Sequence, residues 1–74
     1  EKGGVQMTFK PGERVVVTDE KEARRTGANV RLGDKGIIAE EKYQYDDDDY
    51  WVIMRDGTRW VIPTAGLSKV EVSK

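Results

Sequence analysis

Neither cysteine nor histidine occurs anywhere in the 74 residues. The first absence excludes disulfides and thiolate zinc sites, and the second removes the commonest transition-metal ligand. No metal and no cofactor are therefore expected. Acid–base chemistry would fall to carboxylates and lysines, and a nucleophile to Ser68 or a threonine with no evident base, so the chain reads as a non-enzyme. No apolar run approaches the roughly 20 residues of a bilayer-spanning helix, and no signal-peptide core is present, so no membrane partner is expected. Absence of cysteine fits a reducing compartment, and a cytoplasmic location is the expectation. An excess of one charge sign is also lacking, since the net charge is −1. Its distribution is uneven: residues 1–35 carry eight Lys/Arg against six Asp/Glu, and residues 36–74 carry five against eight. Glu40 to Asp49 alone holds six acids and one lysine.

What is present suits one small domain, which at this size buries only about 60% of the surface its unfolded chain exposes. Residues 1–8 read as an N-terminal arm or linker, since "EKGGVQ" carries no pattern and Met7 is a plausible start. Residues 9–72 carry the folding pattern. "KPGE" is a turn signal leading into "RVVVT" (Arg14 to Thr18), a β-branched strand. "DEKEARRTG" then changes period. Asp19 stands as N-cap with Glu22 three residues on, Arg24 and Arg25 fall in the last turn, and Gly27 ends it, which predicts a helix of about two turns. "LGDKGIIAEEK" reads as a turn and a second strand, "DYWVIMR" as a third, "TRWVI" as a fourth and "SKVEV" as a fifth, with Val70 and Val72 on one face. Pro63, which cannot donate to a sheet ladder, interrupts the fourth strand at "PTAGL".

Asp56-Gly57 between two apolar runs is a strong hairpin signal and predicts a two-residue type I′ turn. That turn would pair Ile53 with Trp60, Val52 with Val61 and Trp51 with Ile62. Trp51, Ile53, Trp60 and Ile62 would then form the core face. The opposite face would hold Tyr50, Val52, Met54, Arg59, Val61 and Pro63, either covered by the 19–33 connection or exposed for binding.

These elements predict an all-β fold: a small, five-stranded, partly open barrel with a short helix inserted between strands 1 and 2. The order of strand, long loop, strand, acidic loop, strand, tight hairpin, strand, one-turn helix and strand resembles that of SH3-like barrels, including bacterial and phage examples. "YWVI" and "VIPTAGLSKVE" carry the likeness. The resemblance implies that Tyr50 stands where SH3 domains place a ligand-contacting tryptophan, and that Pro63 matches the groove proline. Gly66 departs from the pattern, because SH3 domains carry a tyrosine in the one-turn helix. With the aromatic row reduced to Tyr50 and Pro63, ordinary polyproline recognition is not expected. "FKPGERVVV…GDKGIIAEE" also resembles KOW-type barrels, whose basic loops contact nucleic acid. The matching positions here are Lys21, Arg24, Arg25, Arg31 and Lys35.

The expected function is a protein-binding or adaptor module, an accessory subunit or small regulatory protein. The candidate surface is Tyr50, Val52, Met54, Arg59, Val61 and Pro63, with Tyr43 and Tyr45 beside it. Asp46, Asp47, Asp48 and Asp49 would form an acidic rim that favours a partner with a basic patch. As a calcium site the aspartate run lacks spaced ligands and a turning glycine. Its other readings are a solvated loop that guards a sheet edge and an acidic mimic facing a basic surface. A nucleic-acid binder using the 21–35 loop is the alternative function, and a capsid or assembly component the third.

Overall fold

The computed structural model describes residues 9–70. The expected 1–8 arm and the end of the expected barrel, including Val72, lie outside them. Five antiparallel strands form one sheet: β1 (Arg14–Val17), β2 (Lys35–Ile38), β3 (Asp49–Met54), β4 (Arg59–Pro63) and β5 (Leu67–Lys69). Their spatial order is β4-β3-β2-β1-β5, and the sheet does not close on itself. A helix, α1 (Glu20–Ala23), lies between β1 and β2, and a 3-10 turn (Thr64–Gly66) lies between β4 and β5. Among the described residues no helix is long and apolar enough to cross a membrane.

Alternation decides which side of each strand is inside. Val15 and Val17 of β1, Ile38 of β2, Val52 and Met54 of β3, Ile62 of β4 and Leu67 of β5 are buried. Phe9 and Val30 complete this core from the segments flanking β1 and β2. Residues that point the other way along β2 and β3, Ile37 and Ile53, are exposed.

The 18–34 connection spans the gap left by the two unpaired sheet edges. Asp19 caps α1 by accepting the Glu22 N–H at 3.2 Å, as the sequence spacing predicts. The helix is a single turn rather than two, for it closes at Ala23 with the Arg24 N–H on the Glu20 carbonyl. Nucleation of so short a helix is unfavourable in isolation, so tertiary contacts must hold it. They are visible at both ends. Thr18 donates its N–H to the Gly66 carbonyl and shares a hydroxyl contact with Ser68 of β5. Thr26 donates its hydroxyl to the carbonyl of Val61 on edge strand β4. Glu20 reaches forward to the Leu32 N–H at 3.1 Å, tying the helix to the end of its own excursion.

The β3–β4 hairpin corrects the expected register. Its loop has three residues, Arg55 to Gly57: the Met54 carbonyl accepts the Gly57 N–H, and the Met54 N–H donates to Thr58. A type I′ turn needs positive φ at both central residues, and among the described residues only glycines have it. Gly57, at φ +90°, instead takes the left-handed position after the turn. Asp56 fixes this arrangement by accepting both the N–H and the hydroxyl of Thr58, at 3.0 and 2.6 Å. Ile53 therefore pairs with Arg59, Val52 with Trp60, Trp51 with Val61 and Tyr50 with Ile62. One residue of slip inverts β3. Val52 and Met54 go into the core expected for Trp51 and Ile53, which move to the outer face.

Candidate protein-binding surface

The acidic loop between β2 and β3 is folded back on the sheet through Trp51, which the register leaves on the outer face. Tyr43 meets Trp51 edge-on, with ring centroids 6.1 Å apart, and Tyr45 meets Tyr43 at 5.4 Å. Arg59 of β4 lies over the Trp51 ring, 5.1 Å from its centroid, and pairs with Glu41 at 2.7 Å. A cation on an aromatic face and an edge-to-face pair are each favourable by about 0.5–1.5 kcal/mol. Together they order a loop that its charge alone would leave extended.

The four aspartates play different parts within it. Asp46 accepts the Asp48 N–H at 2.9 Å, an Asx turn, and its carbonyl accepts the Asp49 N–H. The Asp48 carbonyl takes the Thr64 N–H at 2.8 Å, which fastens the loop to the 3-10 turn. Asp47 is exposed and pairs with Lys42 at 3.5 Å. Asp49, already on β3, has its carboxyl pushed above the usual range by loss of hydration and by the neighbouring charges of Asp46 and Asp48, with Arg25 opposing. Among the described residues no group of three or more acids is gathered to hold a metal ion.

On the inner side of the loop lies a groove of about 380 Å³. Phe9, Pro11, Ile38 and Tyr50 give it an apolar floor, and Glu40, Glu41, Asp47 and Asp49 stand along its rim. Tyr50 is fixed in the floor by an edge-on contact with Phe9 at 5.4 Å and by its hydroxyl, which accepts the Phe9 N–H at 3.3 Å. Lys42, the one cation on this rim, is the partner of Asp47.

The residues expected to make one binding face are thus divided. Tyr50 lines the groove, whereas Val52, Met54 and Pro63 are buried and present nothing to a partner. Val61 is half-buried on the outer side, and Arg59, Tyr43 and Tyr45 belong to the Trp51 cluster. The expected acidic rim is placed beside Tyr50 through Asp47 and Asp49. In the basic loop, Arg24 pairs with Glu20 at 3.3 Å and Arg25 with Glu22 at 3.7 Å, so the helix's own acids answer two of its cations. Lys21, Arg31 and Lys35 are exposed. The groove's Phe9, Pro11 and Ile38 were not singled out as site residues. Their signal was the alternation of Gly36-Ile37-Ile38 with the turn at Pro11, which brings the start of β1 against the end of β2.

Comparison with known proteins finds no matching family model, no matching curated protein and no matching solved structure.

Proposed function

We propose that the chain is a non-enzymatic protein-binding module of SH3-like architecture that captures a basic segment of another protein in the Tyr50 groove. The element order supports the architectural half of this reading. A 17-residue excursion precedes β2, an acidic loop precedes β3, and a 3-10 turn joins β4 to β5, as the resemblance implies. One observation carries the functional half: Tyr50 and Pro11, backed by the buried Phe9 and Ile38, lie among four carboxylates, of which Glu41 is paired with Arg59 and Asp47 with Lys42 while Glu40 and Asp49 have no ion pair among the described residues. The exposed part of the groove floor supplies contact area, and a rim with more carboxylates than cations selects sign and speeds association more than it adds affinity. A segment bearing one apolar side chain between lysines or arginines satisfies both.

The test is a titration with a Lys/Arg-rich peptide carrying one leucine or phenylalanine, run beside RNA and DNA oligonucleotides at two salt concentrations. The expected outcome is peptide binding that weakens with salt and is lost in Glu40→Lys and Asp47→Lys. Nucleic-acid binding that disappears when Arg24 and Arg25 are neutralised, with no peptide binding, would refute it.

A further inference from the structure

At the opposite end of β3 the outer surface carries a second groove, of about 420 Å³. Its floor is Ile37 and Ile53, directly paired across β2 and β3 and 44% and 38% exposed. Val70 closes one side, and Arg14, Lys35 and Arg55 stand around it. Among the described residues no carboxylate lies within ion-pair distance of any of these three cations. An exposed apolar pair beneath three such cations fits an apolar side chain flanked by acids.

The chain bears such a segment. Tyr45 is 77% exposed at the tip of the acidic loop and is followed directly by Asp46, Asp47, Asp48 and Asp49. It cannot serve the groove of its own molecule. Asp49 and Ile53 lie four residues apart along one strand, about 13 Å, and the loop is held at the far end by Trp51, Glu41–Arg59 and the Asp48–Thr64 bond. We propose that the occupant is the acidic loop of a second copy, with Tyr45 over Ile37 and Ile53 and its aspartates facing Arg14, Lys35 and Arg55. Loop and groove are different patches, so the contact is head-to-tail. Each docked pair retains one free loop and one free groove, which leads to a ring or an open chain of copies. This association is carried by Tyr45 and the loop aspartates, of which Asp47 and Asp49 also line the Tyr50 groove, and it does not rest on that groove having a ligand.

Sedimentation of the full chain, from micromolar to millimolar concentration and at low and high salt, tests it. The expected result is a mass that rises with concentration at low salt and returns to monomer at high salt. A groove variant, Lys35→Glu with Arg55→Glu, and a loop variant, Tyr45→Ser with Asp48→Lys, are each expected to weaken association by at least ~10-fold. All these side chains are exposed, and circular dichroism checks that both variants fold. Mixed in equal amounts, the two variants should form dimers and nothing larger, because one intact loop and one intact groove remain between them. A wild type monomeric throughout, assembly that survives either variant, or a mixture that stays monomeric would each overturn the proposal.

Discussion

Replacing Gly66 by alanine tests the docking of α1 in a way that helix propensity cannot imitate. Gly66 ends the 3-10 turn at a φ outside the left-handed range, so alanine is conformationally permitted there. In such a place Gly→Ala ordinarily stabilises by about 0.4–1 kcal/mol through the unfolded chain. The structure reverses that sign. A Cβ on Gly66 would lie 2.6 Å from the Ala23 nitrogen, 2.7 Å from its Cα and 2.8 Å from its Cβ. Two of these are backbone atoms, so no rotamer relieves the clash, and α1 must move off the turn. Overpacking of this kind costs about 1–3 kcal/mol, against a total near 4–11 kcal/mol for a chain of this length. At roughly 4–8 °C per kcal/mol, thermal unfolding followed by circular dichroism should show a clear drop in Tm. Adding Ala23→Gly removes only the Cβ contact and should restore part of the loss, leaving a measurable coupling between the sites. Gly66→Ala with a Tm equal to or above wild type would show that α1 does not rest on the turn as described.

Gly57→Ala faces open space but a left-handed φ of +90°, so it should cost about 1–2 kcal/mol in urea unfolding with an unchanged m value. Tyr50→Phe removes the hydroxyl that accepts the Phe9 N–H and should cost about 1 kcal/mol by the same measurement while leaving the ring in the groove floor. Glu20 is held below the usual carboxylate range by the Leu32 N–H and then by Arg24, Glu13 by the Lys10 N–H and then by Lys69, and Asp56 by Thr58. A depressed folded pKa gives stability that is fully present above the unfolded value and is lost as pH falls through the folded one, so Tm should decline below about pH 4, and less steeply in Glu20→Gln. Asp49 has the opposite sign: its raised carboxyl costs stability at neutral pH, and that cost disappears as pH falls below its ordinary range. Asp49→Asn should therefore raise Tm at pH 7 and lose this advantage in acid.

The first four strands were legible because their signals are local, whereas the fifth begins at Leu67 and ends at Lys69 rather than running through "SKVEV". "RVVVT" and "TRWVI" could hardly be anything else, and the Asp19 to Glu22 spacing found the start of α1 to the residue. What could not be read was which side of β3 faces inward. That depends on whether the loop at Asp56-Gly57 holds two residues or three, and both loops accept that dipeptide. The choice follows from Asp56 accepting the Thr58 N–H and hydroxyl and from Asp56 keeping an ordinary negative φ. One residue of register then exchanged Val52 and Met54 for Trp51 and Ile53, and so divided the expected binding face, leaving Tyr50, Arg59 and Val61 accessible on different sides. Residue size also pointed the wrong way. The tryptophan that looked like core is used on the outside, where its broad face holds Arg59 and the loop tyrosines.

Gly66 also explains why the 3-10 turn carries no large side chain at its last position. A large side chain there would occupy the place of Ala23, whose backbone approaches Gly66 closely enough to exclude even a methyl group. The glycine and the inserted helix are therefore two halves of one arrangement: the connection after β1 lies down on the 3-10 turn and continues to the edge of β4 through Thr26. The surface between the turn and that connection is thus covered by the chain itself. The partly open apolar surface lies instead on the other side of the acidic loop, where Tyr50, backed by the buried Phe9, is bounded by Glu40, Glu41, Asp47 and Asp49. In this arrangement the connection and the acidic loop divide the surface between them, and carboxylates border the part that stays open around Tyr50.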